Sequence, residues 1–157
     1  MRVKLVAGNW KMNGTLASSQ ALLKALLPPL AALDRARYAV CAPFPYLAAV
    51  GQGLRGSSVQ LGAQDLSQFD DGAYTGAVSG AMLADCGCRY VIVGHSERRT
   101  VFGETDDIVA AKYAQALKHG LTPILCVGEV LAERESGVTE SVVAGQLDAV
   151  TSRCGTQ

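Results

Sequence analysis

The chain has 157 residues, of which 49% are hydrophobic and 18% are charged, and its formal net charge is zero. This composition predicts one globular domain with a real core, and the balanced charge gives no general attraction for nucleic acid or an anionic membrane surface. No apolar run reaches the roughly 20 residues of a membrane-spanning helix, and the apolar stretch at the N-terminus is too short for a signal peptide, so we expect a cytoplasmic protein.

Short apolar runs alternate with helical patterns along the chain. The runs that predict β-strands are VKLVAG (3–8), YAVCAP (38–43), SVQLGAQ (58–64), RYVIVG (89–94) and LTPILCVG (121–128). Helices are predicted in SQALLKALLPPLAAL (19–33), YLAAVGQGLRG (46–56), VSGAMLADCG (78–87), TDDIVAAKYAQALKHG (105–120) and the C-terminal region. Ser79 and Thr105 are suitable N-caps for two of these helices, whereas Pro28 and Pro29 punctuate the first.

This alternation indicates a parallel sheet with crossover helices, because near-continuous apolar strands are typical of sheets covered on both faces. Either an open doubly wound sheet or a closed (β/α)8 barrel fits, and periodicity does not choose between them. The first strand is not followed by Gly-x-Gly-x-x-Gly, which weakens the dinucleotide-binding version of the open sheet. Residues 1–157 contain no linker or low-complexity segment, so we expect a single domain.

Cysteines and loop carboxylates give no sign of a metal site. The five cysteines are odd in number and irregularly spaced, so we expect small, buried, reduced side chains rather than disulfides or zinc ligands. Asp65, Asp70 and Asp71 lie in a polar loop without the alternation of a calcium site, and we expect them to be solvated turn residues.

Candidate functional residues follow the first and fourth predicted strands, because active sites of parallel α/β folds gather at the C-terminal ends of the strands. Asn9 and Lys11 follow the first strand, and His95 and Glu97 follow the fourth. Lys11 could neutralise a phosphate or a developing enediolate, and Asn9 could orient ligand oxygens. A short Ser-Glu-Arg-Arg turn is predicted after His95 and could place backbone N–H groups near its ring. Such groups, like those of a helix N-terminus, would keep the ring neutral, as a donor to a carbonyl oxygen.

Glu97 has two interpretations, and Arg98 has a structural one. Glu97 could act as a general base, or it could position Lys11 or the neighbouring backbone, and we favour the positioning role. Arg98 is expected to form a structural ion pair with Glu104. Lys11 and His95, taken singly, could equally be an exposed loop lysine and a structural hydrogen-bond donor.

Several motifs in register resemble the triosephosphate isomerase family. They are Ala7-Gly8-Asn9-Trp10-Lys11-Met12-Asn13-Gly14, Gly62-Ala63-Gln64-Asp65, Gly72-Ala73-Tyr74-Thr75-Gly76, Val91-Ile92-Val93-Gly94-His95-Ser96-Glu97-Arg98-Arg99, Phe102-Gly103-Glu104-Thr105-Asp106 and Pro123-Ile124-Leu125-Cys126-Val127-Gly128-Glu129. The similarity spans essentially the whole chain, so it is far more specific than any one motif.

The resemblance implies a (β/α)8 TIM barrel that interconverts dihydroxyacetone phosphate and glyceraldehyde 3-phosphate in glycolysis and gluconeogenesis, without a cofactor or metal. By this resemblance Asn9 and Lys11 bind the triose phosphate, His95 is the catalytic electrophile, and Glu97 is the carboxylate that supports Lys11. Such enzymes are usually homodimers, in which the third loop, with Thr75 near its tip, reaches the partner subunit.

Two features depart from the family pattern. Ala77 stands where the family normally has a glutamate, near the arginines of the interface, and we expect a weaker dimer for that reason. The chain also ends after about five of eight β/α units, before the Tyr-Glu-Pro-Val-Trp segment that holds the family's base and before the phosphate-binding turns. We therefore expect an incomplete barrel that is inactive alone, with its first and fifth strands as open edges.

Two alternatives remain open from the sequence. One is a catalytically inactive half-barrel, either without a function of its own or binding a partner fragment. The other is a different phosphosugar barrel enzyme, such as an epimerase, although that group lacks the Asn-Trp-Lys opening combined with Gly-His-Ser-Glu-Arg.

Overall fold

A computed structural model describes residues 3–155. Its strands are β1 (Leu5–Asn9), β2 (Arg37–Ala42), β3 (Val59–Ala63), β4 (Tyr90–Val93) and β5 (Thr122–Leu125). Its α-helices are α1 (Leu16–Ala31), α2 (Leu47–Leu54), α3 (Gly80–Asp85), α4 (Ser96–Phe102), α5 (Asp106–Lys118), α6 (Leu131–Glu135) and α7 (Thr139–Cys154), and a 3-10 turn at Phe44–Tyr46 precedes α2. No helix among the described residues is long and apolar enough to cross a membrane.

The five strands are parallel and lie in the sheet in chain order, β1-β2-β3-β4-β5. A doubly wound sheet reverses its strand order at a switch point, which puts helices on both faces. Strand order without reversal, combined with right-handed crossovers, keeps all the crossover helices on one face. The sheet is therefore part of a (β/α)8 barrel, and the open-sheet alternative is excluded.

The core lies between the sheet and its helices. Val40 on β2, Leu61 on β3 and Val91 on β4 belong to one buried cluster with Leu83 of α3 and Val109 of α5. Because side chains alternate along a strand, their strand neighbours point to the opposite face. That face would line the interior of a closed barrel.

The edges of the sheet differ from its centre, as the sequence predicts. β1 and β5 each pair with one neighbouring strand. All four residues of β4 are buried, whereas Leu5 and Val6 on β1 are exposed. A strand with apolar side chains and unpaired backbone groups is a template for further pairing.

Two helices differ from the sequence prediction in extent. α1 begins three residues early, because Thr15 caps it in a reciprocal capping box with Ser18, and it continues through Pro28 and Pro29 to Ala31. The Ser-Glu-Arg-Arg stretch after β4, expected to be a turn, is the short helix α4. The predicted caps of α3 and α5, Ser79 and Thr105, both accept hydrogen bonds from the backbone of their helices.

All five cysteines are free. Cys41 and Cys88 are buried as expected, and burial raises the pKa of each thiol to about 12, which makes both unreactive. The expectation of burial is wrong for Cys86, which is exposed because it follows the last turn of α3, and it holds only in part for Cys126 and Cys154, which are half-buried.

Candidate active site

An open pocket of about 330 Å³ lies where the C-terminal ends of β1, β3 and β4 meet. Asn9, Lys11, His95 and Glu97 all line it, together with Gln64 from the end of β3. The parallel sheet brings these side chains to the same edge, although 86 residues separate Lys11 from Glu97 in the sequence. The sequence-based prediction of a shared pocket is confirmed.

Lys11 has a left-handed backbone, with φ of 53°, which is uncommon for a residue with a side chain. Its N–H donates to Asn9 Oδ1 at 2.9 Å, and its carbonyl accepts from Gln64 Nε2 at 3.0 Å. The same Gln64 nitrogen donates to the Cys41 carbonyl at 2.9 Å. One amide therefore ties the loop after β1 to the end of β2 and holds Lys11 in its strained conformation. The sequence motif contained Gln64, but no local signal assigned it this role.

The Lys11 ammonium contacts the Glu97 carboxylate, with Nζ 2.5 Å from Oε1, and both side chains are about half exposed. This hydrogen bond holds the pKa of Glu97 below its usual range. A carboxylate stabilised in its ionised form is a weak base for a carbon-bound proton. The geometry therefore favours the positioning role of Glu97 over the base role.

His95 is the N-cap of α4, and its ring Nδ1 accepts a hydrogen bond from the backbone N–H of Glu97 at 3.2 Å. A ring nitrogen that accepts a hydrogen bond carries no proton, so the neutral ring has its proton on Nε2. The side chain is 21% exposed and lines the pocket. This arrangement suits a neutral imidazole that donates from Nε2 to a substrate oxygen.

An ionic cluster of Asp65, Arg98, Glu104 and Lys112 adjoins the pocket; Asp65 and Arg98 also line it, and all four except Arg98 are buried. Arg98 forms the predicted ion pair with Glu104 and lies 3.0 Å from Asp65. Lys112 Nζ lies 2.6 Å from Asp65 Oδ1 and 2.5 Å from Glu104 Oε1. Burial raises the pKa of Asp65, and the charge and hydrogen bonds of Lys112 oppose this effect. Two cations and two carboxylates thus compensate one another in the interior.

The expectation that Asp65 is a solvated turn residue is wrong, because its carboxylate is buried against Lys112. Lys112 itself was missed by the sequence analysis. It lies on α5 between Val109 and Ala116, at the three-and-four spacing of the buried face, and all three residues are buried. A lysine at such a position needs buried carboxylates, which is the signal that could have revealed the cluster.

The other two loop carboxylates are exposed, as expected, but each is also bonded. Asp70 accepts from Lys118 at 2.6 Å and lies 3.2 Å from His119 Nε2, so it links the loop to the end of α5. Asp71 accepts from the hydroxyl of Ser79 at 2.9 Å. The loop of residues 64–79 is thus held to α3 and α5 by its acidic residues.

Thr75 lies in the exposed part of this loop and lines a different cavity, of about 470 Å³. Ala77 and Arg98 line the same cavity. The rings of Phe69 and Tyr74 stack in parallel with centroids 4.4 Å apart, which gives the loop an ordered, partly apolar surface. Thr75 is therefore presented outward and does not enter the pocket that holds Lys11 and His95.

Comparison with known proteins agrees with this geometry. Residues 4–157 match the family model described as triosephosphate isomerase. A triosephosphate isomerase from Thiobacillus denitrificans is 63% identical over 155 residues, which is 99% of this chain and 61% of the relative. One from Nitrosomonas europaea is 54% identical over 154 residues, or 98% of this chain and 61% of the relative.

Among solved structures, the crystal structure of triosephosphate isomerase from Bartonella henselae superposes with a TM-score of 0.88 at 40% identity, covering 94% of this chain and 61% of that one. The chain thus spans about 61% of the length of these relatives. With the strand order, the pocket and the sequence match all in agreement, the chain belongs to the triosephosphate isomerase family.

Proposed function

We propose that these residues form part of a cofactor-free enzyme that interconverts dihydroxyacetone phosphate and glyceraldehyde 3-phosphate. The observation that carries the proposal is the pocket shared by Lys11 and His95, in which a cation faces the same space as an imidazole whose Nδ1 accepts a backbone hydrogen bond. The family membership favours this reaction over those of other phosphosugar barrels.

In this proposal the reaction moves a proton between two adjacent carbons, the hydroxyl-bearing carbon and the carbonyl carbon, which exchange their carbonyl and hydroxyl groups. A carboxylate base, supplied from outside residues 1–157, removes the carbon-bound proton and leaves an enediolate. His95 donates from Nε2 to the carbonyl oxygen and then moves protons between the two oxygens. The Lys11 ammonium balances the phosphate and enediolate charge, and Asn9 orients the substrate.

Glu97 acts in this scheme through Lys11 and His95. Its carboxylate holds the Lys11 ammonium, and its backbone N–H occupies His95 Nδ1. We therefore assign it as a positioning residue. Glu97→Gln removes the negative charge that holds the Lys11 ammonium and leaves the backbone bond to His95 Nδ1 in place, so it should weaken the placement of Lys11 while keeping the tautomer of His95.

We further propose a cytoplasmic homodimer that works in glycolysis and gluconeogenesis. The exposed, stacked loop that carries Thr75 is the surface proposed to meet the partner subunit. Support comes from its ordered apolar tip, formed by Phe69 and Tyr74, and from its anchoring to α3 and α5.

The test uses a completed barrel, in which residues 1–157 are joined to the part of the Thiobacillus denitrificans relative that the match does not cover. We expect the completed barrel to isomerise both triose phosphates. Lys11→Met and His95→Gln should each lower kcat/KM by about 10²- to 10⁴-fold. Arg134→Ala, which breaks an ion pair of a 72% exposed arginine on α6, is the control and should leave the rate unchanged.

A completed barrel without isomerase activity, or one whose activity survives His95→Gln, would contradict the proposal. The first outcome would favour the inactive half-barrel. The 157-residue chain assayed alone should show no measurable isomerisation, because proton abstraction needs a base within hydrogen-bonding distance. A rate near that of the completed barrel would show that the base lies within these residues.

A further inference from the structure

Arg99, in the last turn of α4, connects three elements around His95. Its Nε donates to the Gly94 carbonyl at 2.8 Å, its Nη2 lies 3.5 Å from the Cys126 carbonyl, and its Nη1 pairs with Asp106 at 2.5 Å. These acceptors belong to the end of β4, the end of β5 and the start of α5. The side chain is 13% exposed, so these bonds are largely shielded from water.

The bond to Gly94 bears directly on His95. The Gly94 carbonyl and the His95 N–H belong to one planar peptide group, so fixing the carbonyl direction fixes the plane from which His95 projects. Gly94 has φ of 71°, a region that glycine adopts without strain. An added Cβ there would lie 3.0 Å from Arg99 Nη2 and 2.8 Å from Val109 Cγ1, so the guanidinium packs directly against this turn.

The bond also fixes α4 relative to the strand. His95 is the N-cap of α4, and the Glu97 N–H that occupies His95 Nδ1 lies in the first turn of that helix. Arg99 comes from the last turn of the same helix and reaches back to the residue before His95. The hydrogen bond from Arg99 to the Gly94 carbonyl thus closes a loop over residues 94–99. This loop includes His95 and the Glu97 N–H that donates to its imidazole.

We propose that Arg99 is a positioning residue for His95, which it holds in place through the Gly94 carbonyl; this role rests on the proposed isomerase function. The fork of a guanidinium reaches acceptors in several directions at once, whereas a lysine ammonium is a single point charge. Arginine is therefore required by the geometry, and charge alone does not suffice. Arg99 does not line the pocket that holds Lys11 and His95.

Kinetics of the completed barrel give the first test. Arg99→Ala should lower kcat by about 10- to 100-fold, because a displaced catalytic group loses its alignment, while KM changes little since Asn9 and Lys11 still bind substrate. Guanidinium ions at millimolar concentration should restore part of kcat. Arg99→Lys, which keeps the charge and is the variant more certain to fold, should lose kcat as well.

The tautomer of His95 gives a readout that does not depend on turnover. Nitrogen-15 NMR of the ring should show the proton on Nε2 in the parent protein and a mixture of tautomers in Arg99→Lys. Arg134→Ala is again the matched control, since it also removes an arginine ion pair, and it should leave the ring signals and kcat as they are.

Unchanged kcat, or lost kcat with unchanged His95 signals, would overturn the positioning role. If the parent completed barrel is itself inactive, the proposed function fails, but the NMR comparison of parent and Arg99→Lys still decides whether Arg99 holds His95.

Discussion

Lys11 has both a charge and an unusual backbone conformation, and three hydrogen bonds hold it in place. Asn9 holds its N–H, Gln64 holds its carbonyl, and Glu97 holds its ammonium. Strain of this kind persists only where the surroundings over-determine it, and it is concentrated at functional sites. The placement of one lysine thus depends on residues from the ends of three strands.

Gln64→Glu tests the support of Lys11. The substitution keeps the shape of the side chain but replaces the donating amide with a carboxylate that faces the carbonyls of Lys11 and Cys41. We expect the free energy of unfolding to fall by about 1–3 kcal/mol and kcat/KM of the completed barrel to fall by about 10- to 100-fold. Urea unfolding and steady-state kinetics measure the two effects.

Gln52→Glu is the matched control for this substitution, because it makes the same chemical change at an exposed position of helix α2, outside the barrel interior. It should leave kcat/KM as in the parent. Equal losses in the two variants would mean that added negative charge, rather than the lost donor, accounts for the effect at Gln64.

At the scale of elements, α5 organises the loop that follows β3. Lys112, in the middle of α5, binds Asp65 at the start of the loop, and Lys118, at its end, binds Asp70. The two contacts span 47 and 48 residues of sequence. The Lys112–Asp65 contact is buried and the Lys118–Asp70 contact is exposed. We therefore expect them to contribute different amounts to the free energy of unfolding and to respond differently to pH.

Lys112→Met tests the buried contact. It leaves Asp65 and Glu104 buried with one cation, Arg98, between them, and removing one partner of a buried ionic group costs about 3–5 kcal/mol. We expect a loss of this size in the free energy of unfolding, measured with urea. Lys24→Met, at an exposed position of α1, should change it by less than about 0.5 kcal/mol. Similar losses of unfolding free energy in Lys112→Met and Lys24→Met would show that the buried lysine stabilises the fold no more than an exposed one.

Asp70→Asn tests the exposed contact through its pH dependence. Hydrogen bonds from Lys118 and then His119 lower the pKa of Asp70 below its ordinary value. A lowered folded-state pKa means that the stabilisation is fully present above the unfolded-state pKa, about 3.9, and is lost as pH falls through the lower folded value. The stability difference between parent and variant should therefore be constant from pH 5 upward and shrink as the pH falls below about 4.

Denaturant titrations between pH 3 and pH 7 measure this difference. Lys118→Met should weaken the pH dependence, because it removes the main cause of the lowered pKa. A difference that stays constant down to pH 3 would contradict the assignment of Asp70 as an ionised anchor.

At the scale of the whole molecule, the sheet has two open edges, and β1 exposes Leu5 and Val6. The chain spans about 61% of the length of its relatives, and the buried cluster is confined to the side that the helices cover. The opposite face and both edges are what further strands of a barrel would cover. The pocket lies at the end of this sheet and is correspondingly open.

Ala77→Glu tests the proposed dimer. Ala77 and Arg98 line one cavity, so a carboxylate at position 77 would add a charged partner there for the arginine. We expect the dimer dissociation constant of the completed barrel to fall by about five- to tenfold, equivalent to roughly 1 kcal/mol. Sedimentation equilibrium measures the change, and Ala77→Gln, which has the same shape without the charge, is the control. Equal dissociation constants for parent and Ala77→Glu would refute the predicted weakening by Ala77.

Sequence reasoning worked where the determining signal was local. The alternation of strands and helices, the caps at Ser79 and Thr105, and the positions of Lys11 and His95 after strands can all be read within a few residues. The ion pair of Arg98 with Glu104 spans six residues and was also predicted. The start of α1 was predicted three residues late, because the capping box of Thr15 with Ser18 was not identified in the sequence.

By itself, the sequence determined the family, the β/α order and the residues that meet in the pocket, because these follow from short motifs and from the rule that parallel strands end at one edge. Only the tertiary structure decided that Asp65 is buried, that Gln64 holds Lys11 and that Arg99 holds Gly94. Gln64 and Lys11 are 53 residues apart in the chain. The orientation and burial of a polar side chain depend on which partners the fold brings close to it. A local sequence pattern does not specify those partners, because they come from distant parts of the chain.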